Sequence, residues 1–266
     1  MIGRLLPLLV ALATLAPLPA HAAARAKLSV FAAASLTDAF SEIARAFESR
    51  HPDIEVQLNF AGSQQLVAQL EQGAGADVFA SADDRWMGYA RDRGLLSGAP
   101  TSFTRNQLVL IVPKFNPARI KKLQDLQRSG IKFVICTNAV PVGHYARQVL
   151  NNLSGLPGFD PHYAQRVLAN VVSEEENVKS VATKVQLGEA DAGFVYRSDV
   201  TPGLARYVHT IPIPDEANVI ASYPIATVAR TARLADARAF VDLVLSDEGQ
   251  HVLTRWGFMP VATTTP

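Results

Sequence analysis

Hydrophobic positions along the chain follow two alternating periods. Lys27 to Ala34 is a short apolar run ending in small residues, and Leu36, Phe40, Ile43, Ala44 and Phe47 follow at helical spacing. The pattern predicts a strand, a tight turn and an amphipathic helix. Ile54 to Phe60 alternates apolar with polar as a second strand. Leu66, Val67 and Leu70 then mark a second helix, stopped by Gly73 and Gly75. The same order recurs through Asp77 to Ala80, Asp84 to Arg93 and Gln107 to Val112. Such alternation predicts parallel sheets covered by helices, with ligand sites beyond the carboxyl ends of the strands.

Two segments repeat one plan. Gly75-Ala76-Asp77-Val78-Phe79-Ala80-Ser81-Ala82-Asp83 and Glu189 to Asp199 each follow a helix ending at Gly, carry Ala-Asp, then a short apolar strand, then Ser and Asp. Two α/β lobes are therefore expected. The apolar strands Gln107 to Pro113 and Tyr223 to Ala229 are the natural crossings, because the helices at 235–245 and 248–256 have no strand after them to build a third unit. Lobe I is expected from residues 27–106 with 228–266, and lobe II from 107–227. Two crossings make a hinge with a cleft between the lobes.

The first 22 residues differ from the rest. Arg4 precedes an apolar run of Leu5, Leu6, Leu8, Leu9, Val10, Leu12 and Leu15, and Ala20-His21-Ala22 is a small-x-small cleavage signal. Pro7, Pro17 and Pro19 bracket a run shorter than the roughly 20 residues that span a bilayer. A signal peptide cleaved after about Ala22 is expected, with the mature protein in a periplasm. No Cys follows the run, which disfavours a lipid anchor.

Composition narrows the function. The chain has 266 residues, 48% of them hydrophobic, with 25 Lys and Arg against 24 Asp and Glu. Arg4 is the one charged residue in the expected leader, so 24 basic and 24 acidic residues remain after cleavage. That balance opposes a nucleic-acid or strongly membrane-attracted surface. The single Cys136 excludes an internal disulfide and is expected to be a buried small hydrophobe. Phosphate-loop, nucleophile-elbow, zinc-protease and dinucleotide signatures are absent, and the six His are scattered. No catalytic or metal-ligating set stands out. Glu174-Glu175-Glu176 could suggest a cation site, but the stronger expectation is a helix first turn with Ser173 and Glu176 as a capping box.

Binding chemistry is offered at strand-to-helix turns. Ser35 and Ser63 each follow a strand and open a helix, where the ordinary role is an N-cap. A helix N-terminus also presents free N–H groups and positive dipole, and a Ser beside it can donate to an anion. In the second half, Val140-Pro141-Val142-Gly143 opens a helix, leaving the N–H groups of Val142 and Gly143 as candidate donors. A further helix opens near Asn177-Val178. The Val178 N–H is free if Asn177 is the cap and paired if Ser173 is. Tyr196 ends a strand where its hydroxyl could reach a cleft, or pack in a core.

Several motifs together resemble a known family. They are Val30-Phe31-Ala32-Ala33-Ala34-Ser35-Leu36-Thr37, Phe60-Ala61-Gly62-Ser63, Ala76 to Asp83 with Trp86-Met87, Val140-Pro141-x-Gly143-x-Tyr145-Ala146 and Val195-Tyr196-x-Ser198-Asp199. In this order they resemble the periplasmic molybdate-binding proteins of molybdate ABC importers, over nearly the whole mature chain. The resemblance implies a type II periplasmic-binding-protein fold, with two mixed sheets flanked by helices and a two-crossing hinge. It implies a molybdate or tungstate site in which Ser35 and Ser63 donate hydroxyl and backbone hydrogen bonds, Val142 and Val178 backbone N–H groups, and Tyr196 its hydroxyl. Departures are Val142 where Ala is frequent, Thr137-Asn138 where Asp-Pro is common, and Gly62 where some members have Ser.

Molybdate near neutral pH is a dianion whose oxygens only accept, so a site of donors without a carboxylate suits it. Phosphate retains a proton and calls for an acceptor. Sulfate is the alternative ligand, set apart mainly by size. The expected partners are the oxyanion and an inner-membrane permease, with no nucleic acid, no cofactor and a monomeric chain. A binding protein is expected rather than an enzyme. The rival, an exported serine hydrolase using Ser35 or Ser63, lacks a motif-linked base.

Overall fold

The computed structural model describes residues 25–261, so the expected leader at 1–22 lies outside the described residues. β1 (Ala26–Ala33), β2 (Ile54–Ala61) and β3 (Val78–Ala80) alternate with α1 (Thr37–Arg50) and α2 (Ser63–Glu71). After α3 (Asp84–Asp92) comes the long β4 (Leu96–Pro113). The second half holds β5 (Phe133–Cys136), α4 (Pro141–Ser154), α5 (Tyr163–Leu168), β6 (Val171–Glu175), α6 (Val178–Gln186), β7 (Ala192–Tyr196) and β8 (Val208–Pro212). β9 (Ile220–Val228) leads into α7 (Leu234–Leu245) and α8 (Asp247–Arg255).

The sheet is mixed, where alternation alone predicted parallel strands. β1 runs parallel to β2 and β3, and β5 parallel to β6 and β7. β9 is antiparallel to β3 and β4, and β4 is antiparallel to β7 and β8. The physical reason is β4. Its first part pairs with β9 up to Gln107, and from Leu108 it pairs with β7, so one strand belongs to both halves. The strand order is β2-β1-β3-β9-β4-β7-β5-β6.

Each half repeats β-α-β-α-β with the first strand between the other two, and the likeness extends to atoms. The Asp77 carboxylate accepts the Ser29 N–H at 2.8 Å, and the Asp77 N–H donates to the Ser29 carbonyl at 2.8 Å. Asp191 does the same with Lys132, at 2.8 Å in both directions. These paired bonds explain why Ala-Asp precedes the third strand of each half.

Amphipathic spacing becomes packing as expected for α1, which buries Ala39, Phe40, Ile43, Ala44 and Phe47. Phe40 meets Phe103 of β4 and Phe240 of α7, with ring centres 5.7 and 6.0 Å apart. The C-terminal helices thus pack back on the N-terminal half. Cys136 is fully buried in β5, where burial pushes its thiol pKa up. Among the described residues no helix is long and apolar enough to cross a membrane.

Candidate functional site

The segments opening α1 and α2 in the first half and α4 and α6 in the second begin beyond the carboxyl ends of strands, and residues at all four openings line one cavity. Ser35, Ser63, Val142, Val178 and Tyr196 all line one cavity there, with Ala33, Ala34, Ala61, Gly62, Ala82, Val140, Pro141 and Asn177. Its free volume, about 10 Å³, is on the scale of one water-sized sphere. No Lys, Arg, Asp, Glu or His lines it. A roomier groove of about 600 Å³, lined by Arg197, Pro212, Arg255 and Trp256 among others, includes none of the five residues.

Neither serine is an N-cap. Ser35 sits in a 3₁₀ turn, Ala34–Leu36, and its hydroxyl lies 2.9 Å from the Tyr223 hydroxyl of β9. Ser63 is the first residue of α2, behind the cap Gly62, and its oxygen accepts the Ala82 N–H at 3.0 Å. Both are at least 96% buried. The Ser63 proton is therefore free to donate into the cavity.

The donors of the second half are backbone groups. α4 opens with Val140 as cap and Pro141 at its first position, and the N–H groups of Val142 and Gly143 meet no acceptor among the described residues. A Cβ on Gly143 would stand 2.1 Å from the Thr137 carbonyl oxygen, so only glycine lets α4 sit this close to the end of β5. α6 is capped by Asn177, whose oxygen accepts the Ser180 N–H at 3.0 Å. The expected capping box of Ser173 with Glu176 does not form. Ser173, Glu174 and Glu175 lie in β6, where Lys184 pairs with Glu175 and with Ser173. With Asn177 as cap, Val178 is the first helical residue and its N–H has no intrahelical acceptor. Among the described residues, no cluster of His, Cys, Asp and Glu is placed to hold a metal ion.

Tyr196 closes the cavity from the end of β7. Its hydroxyl is buried and has no hydrogen-bond partner among the described residues. Burial raises its pKa well above the ordinary value, so it stays a protonated donor. Asp83 stands nearby as cap of α3 and accepts the Trp86 N–H at 2.9 Å. Burial raises its pKa, and Arg85 approaches it at 3.4 Å.

Contacts bridge the two sides around this cavity. The Gln64 amide donates to the Glu176 carbonyl at 2.9 Å, and the Trp86 indole N–H donates to the Ala139 carbonyl at 2.7 Å. Lys179 pairs with Asp38 at 2.9 Å and lies 3.5 Å from Asp199. Sequence reasoning passed over Tyr223, Asn106 and Ser198. Asn106 sits in the polar stretch Thr104-Arg105-Asn106-Gln107 ahead of the apolar run from Leu108, so no break in pattern marks it.

Mixed sheets joined through one long strand, with helix N-termini gathered at their edge, are the architecture of periplasmic binding proteins, and solved structures of that class share it. The Azotobacter vinelandii periplasmic molybdate-binding protein superposes with a TM-score of 0.75 at 21% identity, covering 88% of this chain and 99% of that one. The sulfate-binding protein SubI of Mycobacterium tuberculosis gives 0.75 at 17% identity, covering 90% and 88%. The chain belongs to the family of bacterial extracellular solute-binding proteins, whose family description matches residues 28–259. Among curated relatives, molybdate-binding protein ModA of Mycobacterium tuberculosis is 41% identical over 229 residues, 86% of this chain and 83% of that protein. ModA of Escherichia coli is 31% identical over 239 residues, 87% and 88% of the two chains.

Proposed function

We propose that this protein binds molybdate, and tungstate with it, outside the cytoplasmic membrane and delivers it to the permease of an ABC importer. The observation that carries the reading is the donor set. Ser35, Ser63, Val142, Val178 and Tyr196 line one small cavity, without a charged side chain in the lining. An acceptor-only dianion satisfies such a site, and helix N-termini supply the attraction. The ModA relatives at 41% and 31% identity support the same ligand.

In this reading residues 27–106 with 228–266 form lobe I and 107–227 form lobe II. The lobes close on the ion by a hinge at β4 and β9. The leader at 1–22 directs export, and the chain acts as a monomer. Binding rather than catalysis is favoured because the hydrogen-bond partners of the two serines are the Tyr223 hydroxyl and a backbone N–H, neither of them a general base.

Calorimetric titration with molybdate, tungstate, sulfate and phosphate tests the reading. Molybdate and tungstate are expected to bind most tightly; stabilisation by sulfate or phosphate alone would overturn it. Ser35→Ala and Ser63→Ala are each expected to cost about 1.5–3 kcal/mol of molybdate binding, the value of a hydrogen bond to a charged partner. Unchanged affinity in both would remove these residues from the site.

A further inference from the structure

Behind Ser35 lies a buried polar relay that no binding role yet explains. Tyr223 and Asn106 are fully buried and Ser198 is nearly so. The Asn106 side-chain oxygen accepts the Gln107 N–H at 3.0 Å, which fixes the orientation of its amide. Its NH₂ group then faces Ser198, donating to that hydroxyl at 2.8 Å, and reaches the Tyr223 oxygen at 3.5 Å. An amide NH₂ cannot accept, so the Tyr223 proton cannot turn back to it. That proton's acceptor at ordinary hydrogen-bond geometry is the Ser35 oxygen at 2.9 Å; the Tyr196 hydroxyl lies close enough to interact with Tyr223 but forms no hydrogen bond of that geometry among the described residues. A buried phenol proton left unpaired is costly, so the satisfied arrangement runs from Asn106 to Tyr223 to Ser35. The Ser35 proton is thereby turned away from the protein and into the cavity it lines.

We propose that Asn106 and Tyr223 are specificity-determining positioning residues, which hold the Ser35 hydroxyl as a donor toward the cavity and so exclude oxyanions that carry a proton. This rests on the anion site proposed above. The Ala82 N–H sets Ser63 the same way, since it occupies the Ser63 oxygen and leaves the proton to donate. The one side-chain amide in the lining, Asn177, commits its oxygen to Ser180. A ligand O–H group thus meets fixed donors at Ser35, Ser63 and Asn177, and among the lining side chains only the Tyr196 hydroxyl keeps an uncommitted oxygen. The discrimination comes from the direction of hydrogen bonds, set one and two residues behind the contact.

Asn106→Asp reverses the relay. A carboxylate accepts the Tyr223 proton, Tyr223 then accepts from Ser35, and the cavity loses a donor and gains an acceptor. Titrations of wild type, Asn106→Asp, Asn106→Leu and Tyr223→Phe with molybdate, sulfate and phosphate are the test. In Asn106→Asp, molybdate and sulfate are expected to weaken about tenfold or more, with phosphate unchanged or tightened. Asn106→Leu, which removes the amide without adding charge, is expected to lower molybdate affinity less. Parallel weakening of all three ligands in Asn106→Asp would mark a charge or structural effect and overturn the proposal, as would wild-type selectivity in that variant. If Asn106→Asp does not fold, Tyr223→Phe decides: a narrowed molybdate-to-phosphate ratio supports the relay, and an unchanged ratio overturns it. A wild-type protein that binds none of these oxyanions would defeat the functional reading itself, which the wild-type titration reports separately.

Discussion

Asp83 shows what a single residue gives up near an uncharged anion site. Its carboxylate caps α3 through the Trp86 N–H but is almost wholly buried. Desolvation raises its pKa above the usual 3.8, opposed by the Trp86 N–H and the Arg85 charge. With the folded pKa above the unfolded one, the associated stability is fully present below the unfolded value. It is lost as pH rises through the folded value. Asparagine keeps the cap without the charge. Asp83→Asn is therefore expected to be more stable than wild type at neutral pH, by on the order of 1 kcal/mol. The gap should close toward about pH 3, below the ordinary carboxylate range, in thermal melts across that span; a gap independent of pH would show that no buried charge is at stake. At this scale the sequence is legible only in part. The five cavity residues stand out because each ends a strand or opens a helix. The partners of Ser35 and Ser63 do not, because Tyr223 lies 188 residues from Ser35 and Ala82 lies 19 from Ser63.

Among the elements, the repeated β-α-β-α-β plan is legible because Ala-Asp and the following strand recur, and Asp77 and Asp191 make matching bonds. The first part of β4 is not. Leu96-Ser97-Gly98-Ala99-Pro100-Thr101-Ser102 has turn composition, yet it pairs with β9 because that edge needs a partner, at the cost of two register shifts. The Asn177 cap was open for a related reason, since Ser173 carries cap chemistry but β5 holds it in a strand. Two glycines now separate a contact across the cavity from one within a half. A Cβ on Gly62 would lie 2.4 Å from the end of the flexible Gln64 side chain, which can move aside, and 2.5 Å from the Glu176 backbone carbonyl oxygen opposite, which cannot without moving the backbone, whereas on Gly143 it would strike the Thr137 carbonyl of its own half at 2.1 Å. Gly62→Ala is expected to weaken molybdate binding by tenfold or more, on the order of the 1–3 kcal/mol of an overpacked contact, while the unliganded melting temperature changes little. Gly143→Ala should lower that temperature with or without ligand. Equal effects of the two on unliganded stability would refute the distinction.

For the whole molecule, the charge balance of 25 basic to 24 acidic residues and the uncharged lining have a kinetic consequence. An anion drawn by helix ends feels an attraction confined to the first turn, with no long-range field to steer it. The association rate with molybdate should therefore change by less than about threefold between about 0.01 and 1 M salt, against roughly 10–10³-fold for a steered site. Release should behave differently. Lys179 joins Asp38 of α1 to α6, and although burial disfavours its ammonium, Asp199 and Asp38 raise its pKa and keep it charged. The pair is partly exposed, with side chains 32% and 35% accessible, so salt weakens it. In the proposed closure it must break before the ion leaves. Stopped-flow dissociation is expected to quicken with salt by up to about fivefold, the range of an exposed pair. In Lys179→Met the rate should start high and lose its salt dependence. An association rate that falls steeply with salt would mean that charges outside the cavity draw the anion in. A dissociation rate indifferent to both salt and Lys179 would mean that the pair plays no part in holding the cleft shut.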